Sequence, residues 1–166
     1  YKGRVLQAKP KARAEEVLDK RVAYLLIDIL KDNHARAGEF GLNSYLVIKN
    51  HPEVAVKTGT SNNLRDNLTV GFNQNYLTAV WVGNNDNSPM ARIASGVTGA
   101  SPIWNKIMSA LLANTPSIDW KIPEGLVKAF DCAAGRQDWF LEEKKPTKPC
   151  PSATPQPTYL PGPQVL

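Results

Sequence analysis

Cysteine is nearly missing from this chain. Only Cys132 and Cys150 occur, too far apart for a Cys-x-x-Cys zinc or redox motif. No apolar run approaches the roughly 18 residues of a membrane span. No signal peptide opens the chain, which starts at Tyr1 and reads as a piece of something longer. No basic stretch is interleaved with aromatics, so a nucleic-acid partner is not expected. No repeat period is present either. What remains is ordinary: 166 residues, 42% apolar and 21% charged, enough for one domain with a modest core. The net charge of +5 fits a solvated basic face or contact with an anionic surface. Much of it sits in Lys144, Lys145 and Lys148, beside a Pro-rich end.

Hydrophobic spacing orders the chain. Residues 19–31 place Val22, Leu25, Leu26, Ile29 and Leu30 at helical intervals, with Asp19 as N-cap. Residues 33–41 read as a loop, 45–48 as a short extended run, and Asn50-His51-Pro52 as a turn. Residues 53–60 read as a strand. Residues 67–72 alternate, with Leu68, Val70 and Phe72 on one face. Asn73-Gln74-Asn75 is a hairpin connection, 76–83 a third strand, and 84–88 a polar loop closed by Pro89. Ser101 is the expected N-cap of a helix beginning at Pro102, with Ile103, Trp104, Ile107, Met108 and Leu111 inward. Periodicity fades after about Thr115. Seven prolines follow from Pro146 onward, as in an extended, disordered tail.

The chemistry concentrates in Val56-Lys57-Thr58-Gly59-Thr60. On a strand, Thr58 and Thr60 share one face while Lys57 and Gly59 share the other. Two hydroxyls on one face can hold a carboxylate, and Lys57 adds positive field. Gly59 permits close approach of another backbone. A free Thr60 N–H on an exposed edge could donate to a developing oxyanion. The bland alternative is a Thr-rich strand with a snorkelling lysine.

Lys-Thr-Gly on a strand is the third active-site motif of serine transpeptidases and class A β-lactamases. The surroundings go further. Ala23-Tyr24-Leu25-Leu26-Ile27-Asp28-Ile29-Leu30, Asp32-Asn33-His34-Ala35-Arg36-Ala37, residues 54–66, Ala79-Val80-Trp81-Val82-Gly83-Asn84-Asn85-Asp86-Asn87 and Ser95-Gly96-Val97-Thr98-Gly99-Ala100-Ser101-Pro102-Ile103-Trp104 resemble, in order and spacing, the transpeptidase domain of class A (bifunctional) penicillin-binding proteins. The likeness runs from about Asp19 to Leu112. It continues faintly through Ile122-Pro123-Glu124-Gly125 and Asp138-Trp139-Phe140.

The resemblance implies an α+β fold: an antiparallel sheet flanked by helices, a partial β-lactamase/transpeptidase-like fold with a disordered Pro-rich tail. It divides the chain into residues 1–115, the C-terminal part of the transpeptidase domain, 116–145, an irregular extension, and 146–166, the tail. It implies that Lys57 and Thr60 are catalytic. Thr58, Gly59 and Thr60 would bind substrate, the hydroxyls taking its carboxylate and the Thr60 N–H completing the oxyanion hole. The partners implied are peptidoglycan stem peptides ending in D-Ala-D-Ala, β-lactams and the upstream half of the same domain. The location implied is the extracytoplasmic face of a bacterial membrane, reached through an upstream anchor. No cofactor or metal is expected.

No Ser-x-x-Lys occurs in these residues, and only 56 of them precede Lys57. The nucleophile is therefore expected upstream of Tyr1, and this segment alone is expected to be inactive. Ser61-Asn62-Asn63 meets the Ser-x-Asn pattern but sits directly after Lys-Thr-Gly, the wrong place for the second motif. Two rival readings share the motif: a serine β-lactamase or D,D-carboxypeptidase, and a non-catalytic module binding cell-wall peptide. His34 and His51 read as isolated loop residues, Arg65 and Asp66 as ties between loop and sheet, and Trp81 and Trp104 as core. Asp86 reads as turn chemistry rather than a Ca²⁺ ligand. Cys132 and Cys150 are free thiols in a reducing compartment or a bridge in an oxidising one; spacing leaves both open.

Overall fold

Asp19 starts the first helix. Its carboxylate accepts the Arg21 amide at 2.8 Å, filling one of the donors a helix start leaves unpaired. In this computed structural model, which describes residues 15–90 and 98–150, the helix α1 covers Lys20–Lys31. Its inward face differs from expectation: Tyr24 is buried, whereas Ile29 is 68% exposed. Residues 33–41 are not a loop but a second helix, α2, Asn33–Phe40. The Asp32 carboxylate caps it by accepting the Ala35 amide at 3.0 Å, and Gly41 ends it at φ +76°. Residues 45–46 form a turn and 47–48 are irregular, so no strand forms there. The Asn105 side-chain amide takes the Tyr45 and Val47 carbonyls, each at 2.9 Å.

Three strands follow as expected: β1 Ala55–Thr60, β2 Asp66–Phe72 and β3 Leu77–Gly83. They form an antiparallel sheet in the order β1-β2-β3, with Thr58 opposite Thr69 and Thr60 opposite Asn67. Asn73 closes the β2–β3 turn, its side-chain oxygen accepting the Asn75 and Tyr76 amides at 3.0 and 2.9 Å.

The buried face of β2 is the one opposite Leu68, Val70 and Phe72. Asn67, Thr69 and Gly71 point inward, while Leu68 is exposed and Val70 and Phe72 are half-buried. The cause is the third helix, α3, Ala100–Leu112, which packs on β2 and β3. Trp104 occupies the space over Gly71; a Cβ there would stand 2.2 Å from its Cζ2. Thr69 Oγ1 and Ser101 Oγ form a buried hydrogen bond at 3.0 Å, and Thr78 donates to Met108 Sδ at 3.1 Å. Ser101 bonds to the sheet and does not cap the helix, which begins two residues earlier than expected, at Ala100.

Trp104, Met108 and Leu112 form the core with Leu46, Ile48, Val54 and Val56. Ile103, Ile107 and Leu111, expected inward, are instead exposed, since one helix face cannot hold all six. Trp104 is core as expected. Trp81 is 53% exposed, because its register partner is Leu68, on the sheet face away from α3.

The described residues divide between Pro123 and Glu124 into two units. In the second, residues expected to be irregular form a hairpin of β4 Leu126–Asp131 and β5 Arg136–Leu141. Lys128 Nζ lies 5.0 Å from the centre of the Trp139 ring. A disulfide joins Cys132 to Cys150, with Cα atoms 5.4 Å apart. A two-stranded hairpin is marginal alone. A bridge closing a loop of this length stabilises it by about 3 kcal/mol in the chain-entropy picture. The expected tail lies outside the described residues beyond Cys150, as do Ser95, Gly96 and Val97.

Gly71→Ala forces the added methyl into the Trp104 ring and toward the Ala55 carbonyl, 3.0 Å away. The expected cost is about 1–3 kcal/mol, as for other overpacked sites. Urea unfolding followed by tryptophan fluorescence measures it; an unchanged midpoint would contradict the packing described.

Candidate functional site

Among the described residues β1 is an edge strand, so half of its backbone groups face away from the sheet. Which half follows from one bond. The Ser61 N–H donates to the Asp66 carbonyl at 3.0 Å, making Ser61 and Asp66 a hydrogen-bonded pair just past the ladder. Antiparallel pairs alternate between bonded and non-bonded. Thr60 and Asn67 are therefore a non-bonded pair, and the Thr60 N–H points out from the open edge. The same alternation turns the Thr58 N–H outward and the Gly59 carbonyl toward β2.

The side chains divide by pleat. Lys57 and Gly59 lie on one face, Thr58 and Thr60 on the other. Lys57, Gly59 and Thr60 are exposed and Thr58 is half-buried. Lys57 Nζ donates to the Thr58 carbonyl at 2.6 Å, which holds the ammonium along the strand. A Cβ on Gly59 would meet nothing within 4 Å among the described residues. A cleft of about 270 Å³ lies beside the motif, lined by Leu30, Arg36, Phe40, Val56, Lys57 and Thr58. A larger cavity of about 610 Å³ lies among Asp28, Arg36, Leu46 and His51 and includes no motif residue. Of these two, only the smaller cleft touches the motif residues.

One residue not singled out in the sequence belongs to this site. Asn67 is fully buried. Its Nδ2 donates to the Gly59 carbonyl at 3.2 Å and to Thr60 Oγ1 at 3.1 Å. Its Oδ1 accepts the Ala100 amide at 2.8 Å, supplying from β2 the cap that α3 lacks locally. A lone asparagine beside a strand start carries no signal for this in sequence.

The strand leaving the motif is tied down as expected. Arg65 donates to the Asn87 carbonyl, and the Asp66 amide donates to Ser61 Oγ at 3.0 Å. Asp86 takes part in a turn, accepting the Ser88 amide at 3.0 Å. Among the described residues no group of three or more His, Cys, Asp or Glu side chains is arranged to hold a metal. None of the described helices is long and apolar enough to cross a membrane.

The strand entering the motif is anchored by a second cluster. His51 is not isolated: it is buried, with Nδ1 2.8 Å from Glu53 Oε1. Ser117 donates to Glu53 Oε2 at 2.7 Å, and Trp120 Nε1 donates to the Glu53 carbonyl at 2.7 Å. Burial pushes the Glu53 carboxyl up, but the hydrogen bonds from Ser117 and His51 outweigh it and leave it below the usual glutamate range.

No family model matches the chain. Curated proteins do. Penicillin-binding protein 1A of Pseudomonas aeruginosa is 33% identical over 124 residues, 74% of this chain and 15% of that protein. Penicillin-binding protein 1A of Neisseria lactamica is 33% identical over 136 residues, 82% of this chain and 16% of that protein. The crystal structure of penicillin-binding protein 1A from Haemophilus influenzae superposes with a TM-score of 0.68 and 26% identity, over 81% of this chain and 22% of that one. The chain is penicillin-binding-protein-1A-like. Its α+β architecture is the partial transpeptidase-like fold that the sequence resemblance implied. This 1A-like chain spans 15–16% of the length of those two curated relatives.

Glu53 has a folded pKa below its unfolded one. The stability it contributes is full above the ordinary glutamate value and lost as pH falls through the folded pKa. Glu53→Gln removes that dependence. Thermal melts in steps from about pH 6 to about pH 3 should fall more steeply for the parent than for the variant. Parallel curves would contradict the assignment.

Proposed function

We propose that this chain contributes the Lys-Thr-Gly strand of a penicillin-binding D,D-transpeptidase that cross-links peptidoglycan. The observation that carries the proposal is the outward Thr60 N–H on the open edge of β1, next to two hydroxyls and a lysine ammonium. Together these suit one ligand: a carbonyl that becomes an oxyanion, with a carboxylate close by.

A serine from residues outside this sequence attacks the penultimate D-Ala carbonyl of a stem peptide. The Thr60 N–H donates to the carbonyl oxygen as negative charge develops on it. The Thr58 and Thr60 hydroxyls donate to the terminal carboxylate. Lys57 lowers the energy of both anions through its field and polarises the serine of an upstream Ser-x-Asn. The terminal D-Ala leaves, and the acyl-serine is resolved by an amine from a neighbouring stem, which restores the serine hydroxyl. A β-lactam follows the same path to the acyl stage and stops there. The names of the relatives, all penicillin-binding proteins, support penicillin binding over hydrolysis. The disulfide supports an extracytoplasmic location, since such bridges persist in oxidising compartments. A glycosyltransferase domain and a membrane anchor in the complete protein belong to the same proposal.

Lys57→Ala in the complete protein should lower the rate of acylation by a fluorescent penicillin by about 10²-fold or more, on the order of 3 kcal/mol of transition-state stabilisation. Stopped-flow fluorescence reads the rate directly. A change below about threefold would remove Lys57 from the site.

A further inference from the structure

We propose that Asn67 is a positioning residue that fixes the Thr60 hydroxyl as a donor to the substrate carboxylate. The inference rests on the transpeptidase reading of the β1 edge.

The amide orientation is dictated by its partners. The Ala100 N–H can only donate, so the atom facing it at 2.8 Å is Oδ1. Nδ2 is then turned to the Gly59 carbonyl, which can only accept, and to Thr60 Oγ1. The two ends agree, and both Nδ2 hydrogens are committed. Full burial and three bonds into two elements, β1 and α3, leave the side chain no second rotamer of equal energy.

The consequence lies at Thr60. A hydroxyl carries one proton. Thr60 Oγ1 receives a hydrogen from Asn67, so its own proton is not spent inward and turns to an acceptor on the exposed side. A carboxylate is such an acceptor. The donors run in one direction, from the Ala100 amide through Asn67 to the Thr60 hydroxyl, and each bond polarises the next. An aspartate at position 67 reverses this. Its carboxylate would accept the Thr60 proton and turn the hydroxyl away from the substrate, and it would repel the Gly59 carbonyl oxygen.

The test uses the complete protein and two probes, benzylpenicillin and its neutral methyl ester, with acylation followed by intact-mass spectrometry over time. Asn67→Asp should slow acylation by benzylpenicillin about tenfold or more and acylation by the ester less than about twofold. In a Thr60→Val background, Asn67→Asp should add less than about twofold, because the hydroxyl it acts through is gone. Asn67→Ala removes the donor without burying a charge and should show the same selectivity if Asn67→Asp does not fold. Equal losses on both probes, or losses that simply multiply in the double variant, would reduce Asn67 to a structural residue and overturn the inference. Unchanged rates in both Asn67 variants, with a parent that acylates, would overturn this inference alone. A parent that forms no penicillin adduct would overturn the transpeptidase reading and this inference with it.

Discussion

Trp104 stands where a side chain on residue 71 would stand, and the rest of the first unit follows from that contact. A helix can come this close to a strand only over glycine. Once α3 is seated there, Thr69 and Asn67 fall under its first turn and must be hydrogen-bonded, since both are fully buried. Ser101 satisfies Thr69, and the Ala100 amide satisfies Asn67. Asn67 then has its amide hydrogens left for β1. The packing of one tryptophan thus reaches the end of the strand that carries Thr60, through bonds with no slack. The other end of β1 is held separately, by Glu53 between His51 and Ser117.

Much of this fold was legible because its signals are local. Asp19 caps a helix whose apolar spacing is clear, the three strands have the expected bounds within a residue or two, and Asn73 marks the hairpin. The failures have a common physical origin. The alternation in β2 gives the period of the strand but not which side is inward. Apolar residues usually settle that, yet here α3 claims the face with glycine and hydroxyls. The helix α2 is short, and its cap Asp32 sits directly after α1, so it read as a loop. The β4–β5 hairpin depends on a disulfide and a cation–π contact, neither of which leaves a periodic trace.

The site divides the same way. The pleat of Lys57, Thr58, Gly59 and Thr60 follows from the period of a strand, and β1 carries these residues on an open edge as a single run. Asn67 was invisible because its role needs β1, β2 and α3 to meet; its partners lie 7 and 33 positions away in sequence. His51 looked like a loop histidine because nothing in its neighbours announces burial. Non-local partners, not unusual residue types, are what sequence reading missed here.

The central claim is that the outward Thr60 N–H of β1 receives the oxyanion. A crystal structure of the complete protein acylated by benzylpenicillin tests it most directly. The account predicts the acyl carbonyl oxygen within hydrogen-bond distance of the Thr60 N–H, about 2.7–3.1 Å, with the penicillin carboxylate on the Thr58 and Thr60 hydroxyls. An adduct whose carbonyl lies elsewhere, with the Thr60 N–H bonded to a neighbouring strand, would contradict it.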